Sequence, residues 1–445
     1  MSSTTTASPE LKVPSLNSPE MRRILASSFI GSAIEFYDFI LYATAASLVF
    51  GQVYFTDLDP AVAIFASFAT LAVGYLARPL GGIVFGHFGD KLGRKGVLIT
   101  SMLMMGIATT LIGLLPTTAQ IGMAAPVILI LLRLIQGLAV GGEWGGAMLM
   151  ALEHAPKERR GFAASFANMG GPAGAVLATL AVSAFSVLPS EQFLSWGWRI
   201  PFLLSIVLIG VGLLIRLKVA ESPLFLALED KAEEKKLPLS EVLTRYPKSV
   251  VLGTLVGMSS YTVQGVMTVW AISYVVDSAG MDRTSVLLIK ALGATLTVIG
   301  VWIAARYSDR IGRRPVMMIG IVAGAVLALP IMWGLELGEV WIFMIALFLA
   351  NGLIQAFIFG PFGAFTAELF PTRIRYTGAS LVYQLSSTIG AGFTPMIVSA
   401  LVIAAGGKLW LAGVVWIGTF LVAAVAMRGI REGKDQDLNA ADMRQ

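Results

Sequence analysis

No cysteine occurs in the 445 residues, which excludes disulfides, thiol nucleophiles and thiolate-held metals. Only two histidines are present, His87 and His154. Both fall in or beside charged loop segments without ligand spacing, so no metal site is expected. Charge is scarce as well: Asp, Glu, Lys and Arg make up 13% of the chain, about half of what a soluble domain carries. That is too little to cover a water-facing surface of this length. No phosphate-cradling glycine loop is evident, nor a nucleophile with its base, so neither an enzyme nor a cofactor is expected. The opening segment MSSTTTASPELKVPSLNSPE lacks the basic and apolar regions of a cleaved signal and reads as a short polar tail.

What is abundant is apolar. Hydrophobic residues make up 56% of the chain and mean hydropathy is +0.79. Runs of about twenty apolar residues recur throughout, the length needed to cross a bilayer as helix. The 47 glycines suit close helix packing in lipid. The expected fold is an all-α membrane protein of twelve transmembrane helices. They are placed at 24–50, 61–87, 97–116, 125–153, 162–187, 197–217, 249–276, 285–307, 315–335, 340–368, 377–403 and 408–428.

Basic residues orient these spans. Of 32 Lys and Arg residues, 26 fall in the N-terminal tail, the C-terminal tail and the alternate loops that begin with 88–96. The opposite loops hold Arg199, Arg283 and Lys408, and Arg78, Arg133 and Lys290 lie inside spans. An excess of basic loops marks the cytoplasmic face, so both termini are expected there. The net charge of +5 follows this membrane pattern and does not point to nucleic acid. The longest polar interruption, 218–248, carries alternating charge and suggests a surface helix. The expected organisation is a tail at 1–23, a six-helix bundle at 24–217, a cytoplasmic loop at 218–248, a second bundle at 249–428 and a tail at 429–445.

The two halves repeat. GHFGDKLGRK at 86–95 matches ARYSDRIGRR at 305–314, with Asp90, Gly93 and Arg94 aligned to Asp309, Gly312 and Arg313. Glu153 and Pro156 align in the same way with Glu368 and Pro371. The near-constant offset marks related repeats of six helices.

GHFGDKLGRK resembles the loop motif between the second and third spans of the major facilitator superfamily, and RLIQG from Arg133 resembles its fourth-span R-x3-G motif. IEFYDF from Ile34, ARPLGG from Ala77, RLIQGLAVGGEWGG from Arg133, WGWRIPF from Trp196 and ESPLF from Glu221 are similar to the metabolite:H+ symporter family. The chain most resembles its shikimate-type and related organic-acid members; other members carry α-ketoglutarate, citrate, proline or betaine. The resemblance implies a bacterial inner-membrane transporter that works by alternating access, usually as a monomer, with protons and a small molecule as partners. In that family the charged loop acts as a cytoplasmic latch, and the fourth-span arginine, here Arg133, is tied to proton coupling.

The residues support a parallel reading. Asp90, Arg94, Glu153 and Arg160 in the first half, and Asp309, Arg313, Glu368 and Arg375 in the second, sit at neighbouring helix ends. Ion pairs among them would close the cytoplasmic side and break on opening; alternatively they only shape turns and enforce topology. Six ionisable residues lie well inside spans: Glu35, Asp38, Arg78, Arg133, Glu143 and Lys290. Each alone would cost roughly 3 kcal/mol or more at the bilayer centre. At about 1.5 Å per residue, Glu35 and Arg78 both lie roughly 18 Å from the cytoplasmic surface, which suggests a pair.

Asp38 falls on nearly the same helix face as Glu35. Two carboxylates there cannot both ionise cheaply, so one of them is expected to carry a proton. Arg78 is then its counter-ion or the ligand of a substrate carboxylate, which a planar guanidinium suits; the alternative is a permanent salt bridge. Glu143 is a second proton site or an arginine's partner. Lys290 completes an anion site from the second half or snorkels outward. Tyr37, Trp144, Tyr261, Gln264, Gln355, Tyr383 and Gln384 are further cavity candidates. Asn168 and Pro172 read as kink or helix-contact features, and Pro361 and Pro395 as kinks.

The leading function is proton-coupled uptake of a small organic anion. A symporter of zwitterions is the main alternative, though the short tail REGKDQDLNAADMRQ lacks the heptads that osmosensing relatives can carry. An exporter is disfavoured, because Ala167 and Ala175 flank Gly171 and Pro172 where the antiporter motif has glycines.

Overall fold

Each long apolar run closes into a helix, because in lipid a backbone can satisfy its own N–H and C=O groups only that way. The computed structural model describes residues 18–92, 94–141, 148–149, 151–152, 155–217, 238–371 and 374–434. The spanning helices are α1 (Pro19–Leu48), α2 (Pro60–Leu92), α3 (Arg94–Leu114), α4 (Ala124–Val140), α5 (Arg160–Ser186) and α6 (Arg199–Leu217) in the first half. The second half holds α7 (Pro247–Ser278), α8 (Arg283–Ile311), α9 (Arg313–Glu336), α10 (Val340–Glu368), α11 (Arg375–Ala404) and α12 (Trp410–Arg428). Ten of the described helices are long and apolar enough to cross a membrane, and the apolar parts of α3 and α4 are shorter. There is no strand among the described residues.

The ends of the helices follow local chemistry. α1 starts five residues before the expected boundary, at Pro19, because the Ser18 hydroxyl accepts the Met21 amide and proline fits a first turn. Asp282 caps α8 by accepting the Ser285 amide at 2.8 Å, which holds its carboxyl below the usual range. The other end of α8 stops at Gly312, where φ is +105°, a conformation other residues avoid. Of the expected central loop, residues 218–237 lie outside the description. The rest includes a short helix, Pro238–Arg245, with Val242 buried beneath it and a Glu241–Arg245 pair on its surface.

Within the first half α1 packs on α5, α2 on α4, and α3 on α6. Within the second, α7 packs on α11 and α12, α8 on α10, and α9 on α12. The halves meet along two seams related by the repeat, α5 against α8 and α2 against α11. Small residues set the closest approaches. A Cβ on Gly174 would lie 2.2 Å from the Ala33 carbonyl oxygen, so α1 and α5 can touch backbone to backbone only with glycine there.

Three second-half helices depart from α geometry at mid-membrane. α7 contains a π-helical turn at Gln264–Trp270, α10 at Leu349–Gln355 and α11 at Thr388–Phe393. The α10 turn ends at Gln355, nearly two turns ahead of Pro361, and the α11 turn directly precedes Thr394 and Pro395. Proline's missing N–H and ring bulk unsettle the helix on its N-terminal side, so the expected kinks take the form of widened turns. Such turns present side chains and carbonyls inward and are common at functional sites.

Gly174→Val should force α1 and α5 apart, at about 1–3 kcal/mol. Thermal unfolding in detergent should then fall by several degrees. Gly418→Ala, where an added Cβ meets nothing within 4 Å, should leave it unchanged. Equal melting of all three proteins would refute this packing.

Candidate functional site

The widened turns of α7 and α10 border a cavity at the centre of the bundle. Phe36 and Ile40 of α1 and Pro172 of α5 line one side; Tyr261, Gln264 and Thr268 of α7, Lys290 and Thr297 of α8, and Asn351, Gln355 and Phe359 of α10 line the other. Its volume is about 40 Å³, room for a few waters but far below a typical ligand pocket of roughly 300–1,000 Å³. Gln264, Thr268, Asn351 and Gln355 all belong to π-turns. Asn351 and Thr268 carried no sequence signal, since the register shift of a π-turn cannot be seen in apolar periodicity.

Lys290 is 2% exposed and its Nζ donates to Thr44 Oγ1 of the first half at 2.7 Å. No carboxylate pairs with it among the described residues. The snorkelling alternative therefore fails, because the ammonium points into the cavity and across to α1. Thr44 was not anticipated as its partner.

Below the cavity lie two buried arginines. The Arg78 guanidinium sits 3.6 Å from the Phe39 ring centroid and 4.3 Å from that of Tyr75. Arg133 sits 4.2 Å from Phe39 and 4.0 Å from Tyr42. Aromatic faces supply electrostatic attraction where carboxylates are few. Arg78 Nε has no hydrogen-bond partner among the described residues, nor do Arg133 Nε and Nη2. Arg133 Nη1 donates to Gln136 Oε1 at 3.0 Å, and Gln136 Nε2 donates to Thr109 Oγ1 at 2.7 Å. Thr109 in turn stands beside Asp38, whose Oδ1 accepts from Ser205 at 2.9 Å. Asp38 is thus linked to Arg133 through two polar side chains.

Glu35 and Asp38 do not form one shared carboxylate site, as the sequence reading suggested. A three-residue spacing turns a helix by about 60° from the same face, enough to send them to different neighbours. Asp38 faces α3 and α6 inside the first half. Glu35, also buried, stands within electrostatic reach of Tyr383 on α11, as does Arg78. Tyr383 and Tyr261 meet edge to face at 5.7 Å. Glu35, Arg78, Tyr261 and Tyr383 therefore converge where the halves join. Gln384 Nε2 donates across the same seam to the Gly141 carbonyl at 3.0 Å, and its Oε1 has no hydrogen-bond partner among the described residues. Tyr37 is not at the cavity: its hydroxyl donates to the Pro201 carbonyl at 2.9 Å, within the first bundle. Asn168 makes the expected helix contact, donating to the Phe359 carbonyl at 2.8 Å. Glu143, Trp144 and Glu153, and the side chains of Asp90 and Arg94, lie outside the described residues.

At the end of the bundle that carries the basic loops, the second-half charges meet. Arg313 reaches Asp309 at 2.7 Å and Glu368 at 3.0 Å. The two Asp309 oxygens also accept the amides of Gly161 and Phe162, both at 2.9 Å. These are N-terminal amides of α5, so one carboxylate joins α8 to the positive end of a first-half helix. The contact between the halves here is therefore more than ion pairs between side chains. Arg375 donates to the Ala367 and Phe370 carbonyls at the end of α10, and Arg160 opens α5 beside the Asp309 contact. Glu432, unanticipated, accepts the Arg313 and Arg314 amides at 3.0 Å each. At the opposite end Arg283 donates to the Ser186 and Leu188 carbonyls, and Ser47 to the Val269 carbonyl. The halves are tied at both ends around a small cavity, which is an occluded arrangement.

Known proteins place this arrangement in context. A family model described as Major Facilitator Superfamily matches residues 28–381 and 257–439. The inner membrane metabolite transport protein YhjE of Escherichia coli (strain K12) is 42% identical over 381 residues, covering 84% of this chain and 86% of that protein. The Shikimate transporter of the same organism is 40% identical over 408 residues, covering 91% and 93%. Its Proline/betaine transporter is 32% identical over 394 residues, covering 86% and 78%. The crystal structure of D-xylose-proton symporter superposes with a TM-score of 0.72 over 93% of this chain and 99% of that one. At 19% identity that likeness shows the fold alone.

Since the chain has no cysteine, a single Ala164→Cys at the α5–α10 contact gives one buried reporter thiol. Asp309→Asn weakens the hold on the α5 terminus by about 1–2 kcal/mol, so maleimide labelling of that thiol should rise about tenfold. Unchanged labelling would contradict the latch.

Proposed function

Because the chain belongs to the Major Facilitator Superfamily, it is a multi-pass membrane transporter and not an enzyme, and we propose that it takes up a small organic acid together with protons by alternating access. The observation that carries this reading is Arg78: a buried guanidinium, stacked on Phe39 and Tyr75, with an Nε that has no hydrogen-bond partner among the described residues and with Tyr261 and Tyr383 beside it. A planar guanidinium suits a carboxylate. Lys290 supplies a second cation from the other half, and Gln264, Gln355 and Asn351 offer hydrogen bonds for hydroxyl or carbonyl groups. The similarity to a shikimate transporter supports an organic acid of this kind.

Asp38 is the proton carrier in this reading. It is 2% exposed, its Oδ2 has no hydrogen-bond partner among the described residues, and the chain through Thr109 and Gln136 ties its charge state to Arg133. Protonation of Asp38 would loosen Arg133 and let the first bundle shift. Glu35 then serves as counter-charge to Arg78 until the substrate carboxylate arrives. Asp309, Arg313 and Glu368 form the cytoplasmic gate, with the basic end and both termini in the cytoplasm. The bundles 24–217 and 249–428 rock about the central site, and the chain acts as a monomer in the inner membrane.

In proteoliposomes with an inward proton gradient, shikimate, protocatechuate, α-ketoglutarate, citrate, proline and betaine should be compared. One acid should accumulate, and Arg78→Lys should raise its KM about tenfold or more, the worth of a charge-assisted hydrogen bond. Accumulation of proline or betaine alone would replace the acid reading with a zwitterion symporter. Efflux on gradient reversal without uptake would point to an exporter.

Asp38→Asn should abolish gradient-driven accumulation while sparing counterflow exchange. Full accumulation in that variant would remove Asp38 from proton coupling.

A further inference from the structure

A second cavity lies far from the central site, at the basic end between α9 and α12. Its volume is about 360 Å³. Two arginines flank it: Arg314, the second residue of α9, and Arg428, the last residue of α12. Their positions put both at the level where a membrane's hydrocarbon gives way to headgroups. The Arg314 Nε is buried and has no hydrogen-bond partner among the described residues, and Arg428 is exposed. The wall beneath is apolar, formed by Ile311, Pro315 and Met318. One or two turns further in, the same helices expose Ile319, Val322 and Val425 on their outer surface. The groove therefore has cations at its mouth and greasy surface behind them.

One carboxylate, Glu432, also lines the groove, but both its oxygens are already engaged. Oε1 accepts the Arg313 and Lys434 amides and Oε2 the Arg314 amide, so its lone pairs are directed at the first turn of α9 while it keeps its negative charge. Arg313 is held by Asp309 and Glu368. Lys434 adds a further cation nearby and donates its Nζ to the Arg310 carbonyl. Among the described residues the mouth therefore holds Arg314, Arg428 and Lys434 against the single carboxylate of Glu432, an excess of positive charge.

We propose that this groove binds an anionic phospholipid, with its phosphate between Arg314 and Arg428 and an acyl chain along Met318 and the outer faces of α9 and α12. Charge complementarity and the apolar wall together select a lipid over a soluble anion, because a free phosphate would leave the wall unused. The bound lipid braces α9 against α12. α9 begins with Arg313, so the lipid also steadies the helix start from which the gate is built. This function is independent of which solute the central site carries.

The test uses the full purified chain in detergent, with bound lipid counted by native mass spectrometry and thermal unfolding followed in parallel. Phosphatidylglycerol should bind and raise the unfolding temperature; phosphatidylcholine of the same acyl chains should do so far less, and inorganic phosphate should have no effect. Arg314→Gln with Arg428→Gln should weaken phosphatidylglycerol binding roughly thirtyfold, the worth of two basic contacts at a membrane surface. Should the double variant fail to fold, the exposed Arg428→Gln alone should weaken binding roughly fivefold. Equal binding of the two lipids, a full stabilisation by inorganic phosphate alone, or unaltered binding in the variants would each overturn the proposal.

Discussion

Everything at the centre of this protein depends on keeping guanidinium groups out of water without fully pairing them. A lone arginine at mid-bilayer costs roughly 3 kcal/mol or more. Arg78 and Arg133 offset part of that against the faces of Phe39, Tyr75 and Tyr42, contacts that reach about 2 kcal/mol when desolvated. Aromatic faces attract a cation yet take none of its hydrogen bonds. Arg78 Nε and Arg133 Nε and Nη2 have no hydrogen-bond partner among the described residues, and in the proposed reading an entering carboxylate would gain both charge and geometry there. Had permanent carboxylates paired both arginines, the desolvation would be settled and nothing would be left to recognise a ligand.

The same economy of charge appears at the basic end. Asp309 and Glu432 each hold the N-terminus of a helix, α5 and α9 respectively, while Arg313 bridges Asp309 and Glu368. Helix termini are fixed in direction and lose no side-chain entropy on contact. Contacts built on them break only when whole helices move, which in the proposed reading would couple the gate to rotation of a bundle. With the opposite end also tied through Arg283 and Ser47, the small central cavity is what closure at both ends leaves behind.

The fold was largely legible in the sequence because lipid enforces it: apolar run length sets the helices and the aligned Asp309 and Asp90 loops reveal the repeat. The buried charges were legible for the same reason, since a charge inside a twenty-residue apolar run stands out. Their partners were not. Phe39, Tyr42 and Thr44 look like any apolar-face residue, and their roles follow from helix rotation, which hydropathy does not encode. The split between Glu35 and Asp38, the withdrawal of Tyr37 to the Pro201 carbonyl, and the entry of Asn351 and Thr268 through π-turns are likewise three-dimensional facts. Glu432 could not be read because tail residues carry no periodicity to place them.

The central claim is that Arg78 recognises a carboxylate through its guanidinium, whose Nε has no hydrogen-bond partner among the described residues. The most direct measurement is calorimetric binding of the acid that proteoliposomes accumulate, set against its uncharged carboxamide, to the wild-type chain and to Arg78→Gln. The account predicts that the wild type prefers the acid by about tenfold or more, the worth of one charge-assisted bond, and that the variant loses this preference. Equal binding of acid and amide by the wild type, or an undiminished preference in Arg78→Gln, would contradict it.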